Sequence, residues 1–320
     1  MSYALLIAAG MFAVVAGAND GSSVLSAGLG PSGTRPLVSL GVFLVALVIG
    51  PWLVFGTGVA TTLAHGLVPF SGPDTDRFVL VATISAMVVV FALVRAGLPT
   101  SLTLALVGAI AGAGLGAGLP LRGGELAMIL LVGLAAPLVS AALALALSPL
   151  ALRLSAGARA EGTLLRWHRG AFVLQCLAYS ANGGQKMLAL FAVAAGTASG
   201  GVVRDPWYLA LSLPLLFGMG VLLGIRNISA RLSRGILAVR LRHAAVAETC
   251  SFAVVMGAGL AGIPLTMSQS VAGALVGAGL SESRTRVRWR EVTRMAGAWG
   301  VTLPASVAVA AIAGLAARAA

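Results

Sequence analysis

Residues 243–280 read HAAVAETCSFAVVMGAGLAGIPLTMSQSVAGALVGAGL, an apolar run with arginine on both sides. Before it stand Arg226, Arg231, Arg234, Arg240 and Arg242; after it stand Arg284, Arg286, Arg288, Arg290 and Arg294 against Glu282 and Glu291. Arginine-rich loops stay on the cytoplasmic face of a membrane, so the run enters and leaves on one side. It has room for two helices, and Gly262-Ile263-Pro264-Leu265-Thr266 in its middle carries the Gly and Pro that break one. The pattern predicts a re-entrant helical hairpin with its tip inside the membrane. Irregular backbone survives there only when buried in protein or lining a cavity.

Composition agrees with a membrane chain. Of 320 residues, 59% are hydrophobic and 9% charged, with mean hydropathy +1.01; soluble domains carry roughly 25% charged residues. Apolar runs of bilayer-spanning length recur from end to end. Met1 to Ala18 lacks the basic start of a cleavable signal and reads as part of the first membrane helix. The formal charge of +12 follows from arginines gathered in loops, and not from nucleic-acid binding. Cys176 and Cys250 read as small hydrophobes. His65, His168 and His243 read as loop-edge residues, and no Cys/His cluster has metal-ligand spacing.

The hairpin has a counterpart. Ala96-Gly97-Leu98-Pro99 returns as Ala261-Gly262-Ile263-Pro264, and Gly108 with Gly112-Ala113-Gly114-Leu115 returns as Gly273 with Gly277-Ala278-Gly279-Leu280, all 165 residues later. Ala18-Asn19 returns as Ala181-Asn182, and Pro137 as Pro304. Such internal duplication is the usual construction of secondary transporters, with the site at the repeat interface. A second hairpin is therefore expected over 79–117, its tip at Gly97-Leu98-Pro99-Thr100-Ser101, entering from the opposite side.

The segment 153–169 holds Arg153, Arg159, Arg166 and Arg169 against Glu161, which makes it a basic cytoplasmic linker. The other loops, with Asp74, Asp76, Arg77, Arg122, Glu125, Arg204 and Asp205, are nearly balanced. The expected fold is an all-α polytopic membrane protein of two inverted-topology repeats, 1–152 and 170–320. Each has three spanning helices plus a re-entrant hairpin, and the first helix of each is broken. The termini lie outside, in a bacterial-type inner membrane.

Polar groups inside such a membrane default to functional roles. Four clusters qualify. Gly17-Ala18-Asn19-Asp20-Gly21-Ser22-Ser23 offers a carboxylate, an amide and hydroxyls, a ligand set for a hard cation, with glycines that suit an unwound helix. Ser180-Ala181-Asn182-Gly183-Gly184-Gln185-Lys186 takes the equivalent place in the second half. Lys186 is the only lysine, which beside Asn182 and Gln185 reads as a site charge. The tips carry Pro99-Thr100-Ser101-Leu102-Thr103 and Pro264-Leu265-Thr266-Met267-Ser268-Gln269. Hydroxyls just after a helix-initiating Pro, at the positive end of a half-helix, suit an anion. Arg95 adds a charge near the first tip, snorkels, or pairs with Asp20. Glu248 is a coupling-ion or proton group, or the partner of an arginine.

These residues resemble the inorganic phosphate transporter (PiT) family of anion permeases. Gly17-Ala18-Asn19-Asp20 matches the family's first motif. Ala181-Asn182 with Gln185-Lys186 matches the second, with Gly183 in place of Asp. Pro99, Ser101 and Thr103, and Pro264, Thr266, Ser268 and Gln269, follow the tip motif, while Leu102 and Leu104 depart from it. Trp299 to Pro304 looks like the closing helix. The resemblance implies a cation-coupled, alternating-access symporter, a homodimer, with inorganic phosphate as substrate and sodium or proton as coupling ion. Asn19, Ser101, Thr103, Asn182, Thr266, Ser268, Gln269, Arg95 and Lys186 would serve the substrate. Asp20 (as a sodium ligand), Ser23, Gln185 and Glu248 would serve the coupling ion. Sulfate is the rival substrate and an uncoupled anion channel the rival class. An enzyme is disfavoured, since the sequence offers neither a nucleophile–base pair nor a metal set.

Overall fold

The computed structural model describes residues 3–29, 35–50, 58–68, 75–96, 98, 100–156, 160–196, 198–199, 202–203 and 207–319. Gly97, Pro99, Asp74, Arg159, Arg204 and Asp205 lie outside them. The described chain is almost wholly helical, with one two-residue antiparallel pair, Ala198–Ser199 with Val202–Val203.

The helices run in two matching series. In the first, α1 (Tyr3–Ala16) passes through a π-helical turn, Gly17–Gly21, into α2 (Ser22–Leu29). Then come α3 (Pro36–Ile49), α4 (Gly58–Thr61) with a π turn at Thr62–Gly66, the pair α5 (Thr75–Arg95) and α6 (Leu102–Ala117), and α7 (Gly123–Leu154). In the second, α8 (Ala160–Tyr179) passes through a π turn, Ser180–Gly184, into α9 (Gln185–Ala195). There follow α10 (Trp207–Gly235), the pair α11 (Leu241–Leu260) and α12 (Met267–Leu280), and α13 (Trp289–Ala319). Among the described residues five stretches are long and apolar enough to cross a membrane: Tyr3–Leu25, Thr75–Arg95, Gly123–Leu154, Leu241–Leu260 and Trp289–Ala319. At 1.5 Å per residue α6 and α12 reach only about 24 and 21 Å, short of the roughly 30 Å hydrocarbon core. Both are buried nearly all round, which explains why they are apolar on every face.

Two expectations change. The first helix of each series is not unwound at its motif; it widens into a π turn, a single loose turn of the kind that often marks a functional site. The segment 153–169 is not a loop either. α7 runs to Leu154 and α8 begins at Ala160, so Arg166 and Arg169 project from the exposed side of α8.

The halves interlock through glycine. A Cβ at Gly108, Gly112 or Gly116 of α6 would lie 2.8, 2.3 or 2.3 Å from the carbonyl oxygens of Leu303, Val307 and Ala311 of α13. A Cβ at Gly273 or Gly277 of α12 would lie 2.0 or 2.1 Å from those of Pro137 and Ala141 of α7. Each half's short helix thus packs against the other half's last helix, backbone to backbone. In lipid, where apolar surface gains nothing by association, such small-residue contacts carry helix pairing. The same device joins α1 to α10: Cβ atoms at Gly17, Gly220 and Gly224 would meet the carbonyl oxygens of Phe217, Val14 and Ala18 at 2.0, 1.9 and 2.2 Å.

The base of the α11–α12 hairpin is closed by charge. Glu282 accepts from Arg242 and, at 2.6 Å, from His243 Nε2, with Arg286 at 3.7 Å. Burial alone would raise its pKa, but the hydrogen bonds and charges of His243 and Arg242 hold it at about 2, below the ordinary 4.5.

Gly273→Ala should destabilise the chain by about 1–3 kcal/mol, because its methyl meets backbone. Gly133→Ala, with nothing within 4 Å of the added carbon, should gain up to about 1 kcal/mol of helix propensity. Thermal melting of the purified variants reads both. The Glu282 contribution is present above its unfolded-state pKa and is lost as pH falls from about 4.5 toward 2. Acid melting should therefore be flatter over that window in Glu282→Gln than in wild type.

Candidate functional site

The two π turns and the two hairpin tips come together in the core. Ser101 and Thr266, one from each tip and 165 residues apart, share a hydrogen bond of 2.8 Å between their hydroxyls. That separation equals the sequence repeat, so equivalent positions of the two halves touch each other. Both are buried. Ser101 Oγ also accepts from Leu104 N at 3.2 Å and so caps α6. Thr266, before α12, makes no such cap.

Each tip docks on the π turn of its own half, but not equally. Asn182 Nδ2 donates to the Ile263 carbonyl and Asn182 Oδ1 accepts from Leu265 N, both at 2.8 Å. Thr62 Oγ1 adds a 2.8 Å bond to the Gly262 carbonyl. Gly262 itself has φ +71, a left-handed turn that favours glycine, and lies beside the Gly58 backbone. At the first tip, Thr100 Oγ1 donates to Asn19 Oδ1 at 3.3 Å. Asn19 Nδ2 donates to its neighbour Asp20 Oδ1 at 2.9 Å. Ser22 and Ser23 hydroxyls turn back to the carbonyls of Ala18 and Asn19 at 2.5 and 2.7 Å.

Lys186 ties the tips together. Its Nζ, buried, donates to Thr103 Oγ1 at 2.6 Å and to the Leu265 carbonyl. Asp20, also buried, interacts with it electrostatically, with no direct ion pair between the two. Gln185 Oε1 accepts from Val59 N and Ala60 N at 2.8 and 3.2 Å, which closes the start of α4. Gln185 Nε2 and the hydroxyls of Ser180, Ser268 and Ser270 are buried and find no partner among the described residues. Ser268 and Gln269 lie buried in the first turn of α12.

A wedge of rings sits under the π turns. Phe43, Tyr179 and Phe217 pack with centroids 5.1–5.4 Å apart. A Cβ at Gly183 would fall 2.5 Å from the Tyr179 ring. The missing acid of the second half thus has a steric account: the tyrosine occupies the space a carboxylate at 183 would need.

Two nominated residues stand apart. Arg95 ends α5 exposed, with its guanidinium 4.8 Å over the exposed Phe91 ring. It neither joins the cluster nor pairs with Asp20. Its helix face explains this, since Ile84, Val88 and Phe91 on the same side are exposed as well. Glu248 lies on the α8–α11 seam, where Oε2 meets His168 Nδ1 at 2.7 Å. Its partner is a histidine, not an arginine. His168 is accordingly a buried pair-former inside α8 and not a loop-edge residue, while His243, in the first turn of α11, stands at the edge of its helix and is buried as well. Gln175 donates to Ser251 Oγ at 2.8 Å further along that seam, a pair that sequence reasoning missed. The spacing of His168, Gln175 and Asn182 at seven-residue intervals through α8 and the π turn that follows it was the available signal.

Among the described residues no three His, Cys, Asp or Glu side chains gather as a metal site. What the cluster offers is a carboxylate and main-chain oxygens on one side, and an ammonium, hydroxyls and the uncapped start of α12 on the other. Replacing Asn182 by Ala removes two of the side-chain bonds that hold the second tip. It should cost about 1–3 kcal/mol and speed hydrogen exchange at the Leu265 amide, measured by mass spectrometry.

A family model described as the phosphate transporter family matches residues 16–310. Among curated proteins, a probable low-affinity inorganic phosphate transporter of Mycobacterium bovis is 26% identical over 298 residues, covering 90% of this chain and 70% of that one. One of Mycobacterium leprae with the same description is 30% identical over 146 residues, 45% of this chain and 35% of that one. A solved structure described as the sodium-dependent phosphate transporter superposes with a TM-score of 0.81 at 16% identity, covering 98% of this chain and 99% of that one; the likeness is one of fold.

Proposed function

The chain belongs to the phosphate transporter family, and from that premise we propose that it is a multi-pass membrane carrier of inorganic phosphate, coupled to a cation by alternating access. The meeting of the two tips at Ser101 and Thr266 carries this reading. Around that contact the donors suit a tetrahedral oxyanion. α12 starts without a side-chain cap, so its first amide N–H groups and the positive end of its dipole are available. Ser268 Oγ is buried and unpartnered, and Lys186 brings positive charge within the same cluster.

The cation side belongs to the first half. Asp20 contributes the carboxylate, and the Asn19 side chain stands beside it. A sodium ion takes such hard oxygens; a proton would take the carboxylate itself. Gln185 fits this side poorly, because its oxygen is committed to Val59 and Ala60 and its free group is a donor. We place its amide on the anion side instead. Arg95, exposed on α5, is left out of the site.

The construction suits alternating access. Two related halves, oppositely inserted, each hold one tip, and the Ser101–Thr266 contact is where they part or close. Rocking about that contact would open the site to one side at a time. The bodies that rock would then be the closely packed pairs, α6 with α13 and α12 with α7, each drawn from both halves and each carrying one tip.

Proteoliposomes holding the chain should exchange labelled phosphate for internal phosphate under counterflow conditions, with sulfate a weaker substrate. Asn19→Ala and Asp20→Ala should each abolish uptake while leaving the yield of folded protein unchanged. Full uptake in both variants would remove the first π turn from the site. Flux without counterflow would point to a channel.

A further inference from the structure

The ammonium of Lys186 sits between two oxygens of the kind that a hard cation takes. Its two acceptors are a main-chain carbonyl, Leu265, and a hydroxyl, Thr103. Thr103 Oγ1 lies 3.3 Å from the same carbonyl, so the oxygens converge on one point. They come from different halves: Thr103 opens α6, and Leu265 is the residue before Thr266 at the other tip. Neutral oxygens converging in a buried pocket are what sodium selects, and an ammonium of one positive charge meets them with N–H donors.

The repeat supplies the comparison. The offset of 163 that relates Asn19 to Asn182 pairs Lys186 with Ser23, and Gly183 with Asp20. The offset of 165 pairs Thr103 with Ser268, and Leu265 with Thr100. One half therefore has an acid and no tethered cation; the other has a tethered cation and no acid. In the first arrangement Ser268 Oγ, the counterpart of the hydroxyl that Lys186 engages, is buried without a partner.

We propose that Lys186 is a built-in cation, standing permanently where the second half would otherwise bind a mobile ion, so that coupling is left to the Asp20 side alone. This rests on the carrier reading above and deepens it. The ammonium has three N–H donors, two of which are spent on the protein oxygens, which leaves one for a bound anion. It holds the two tips together as a bridging ion would, and its charge offsets that of the bound anion. Because it is covalently attached, it cannot be carried across, and the transported charge falls by the ion it replaces.

The test counts ions. Equilibrium binding of radioactive sodium to the purified full-length chain should give an additional ion per chain in Lys186→Gln relative to wild type, and no additional ion in Lys186→Arg, which keeps the charge. In proteoliposomes, phosphate counterflow by Lys186→Gln should fall about tenfold or more in choline and recover as sodium is raised. Equal sodium counts in wild type and Lys186→Gln would overturn the proposal. Should Lys186→Gln not fold, wild type decides. Lys186 is the only lysine, so its labelling by an amine reagent can be followed by mass spectrometry. Labelling indifferent to sodium supports the built-in cation, whereas labelling accelerated by sodium means that the ion displaces the ammonium and refutes it. The sodium count needs no phosphate. A chain that shows no phosphate counterflow yet gains an ion in Lys186→Gln would sink the substrate reading and leave this one standing.

Discussion

A broken helix buried in protein leaves backbone N–H and C=O groups that water cannot reach, and each costs free energy until something else bonds to it. The second hairpin tip meets this constraint almost entirely with side chains from other elements. Asn182 serves Ile263 and Leu265, Thr62 serves Gly262, and Lys186 serves the Leu265 carbonyl. The polar residues of the π turns are therefore structural before they are anything else. A membrane protein that places irregular backbone in its core has to recruit amides and hydroxyls there, and those same groups gather where the two tips meet.

The surrounding helices are arranged to bring the tips together. α6 and α12 are short, buried and studded with glycine on the side that meets α13 and α7. Because each leans on the last helix of the opposite half, neither half has a complete core without the other. The close backbone approach fixes the depth and rotation of each short helix, and hence where Ser101 and Thr266 fall. The ring wedge of Phe43, Tyr179 and Phe217 does the same for the π turns from beneath.

The architecture was largely legible in the sequence because glycine and proline have few uses in a buried helix. Gly108, Gly112, Gly273 and Gly277 recur at one offset, since the same backbone crossing recurs. The tips were readable from Pro264 and Gly262 for the same reason. The widened π turns were not, as glycines around Asn19 and Asn182 suit an unwound or a wide turn equally well. Pairings across the fold were hidden too: His168 and Glu248 are 80 residues apart, and no local pattern joins them. Arg95 was drawn toward the site by its nearness to Pro99 in the chain. Its position on one stripe with Ile84, Val88 and Phe91 was a periodicity that pointed outward. Gly183 read as a loss, and its cause, the Tyr179 ring four residues back, needed coordinates.

The Ser101–Thr266 bond lies where the two halves are most nearly equivalent, yet a hydrogen bond between two hydroxyls cannot be symmetric. One oxygen gives the hydrogen and the other receives it. At any instant one tip keeps a donor for itself while the other has spent its own. Two isoenergetic orientations of an isolated pair become unequal here, since Ser101 Oγ also accepts from Leu104 N while Thr266 makes no such bond. The duplicated frame is thus biased at its centre by a single proton's direction: any acceptor arriving there would have to compete for the hydrogen that one tip has already given, while the other tip still has its own to give.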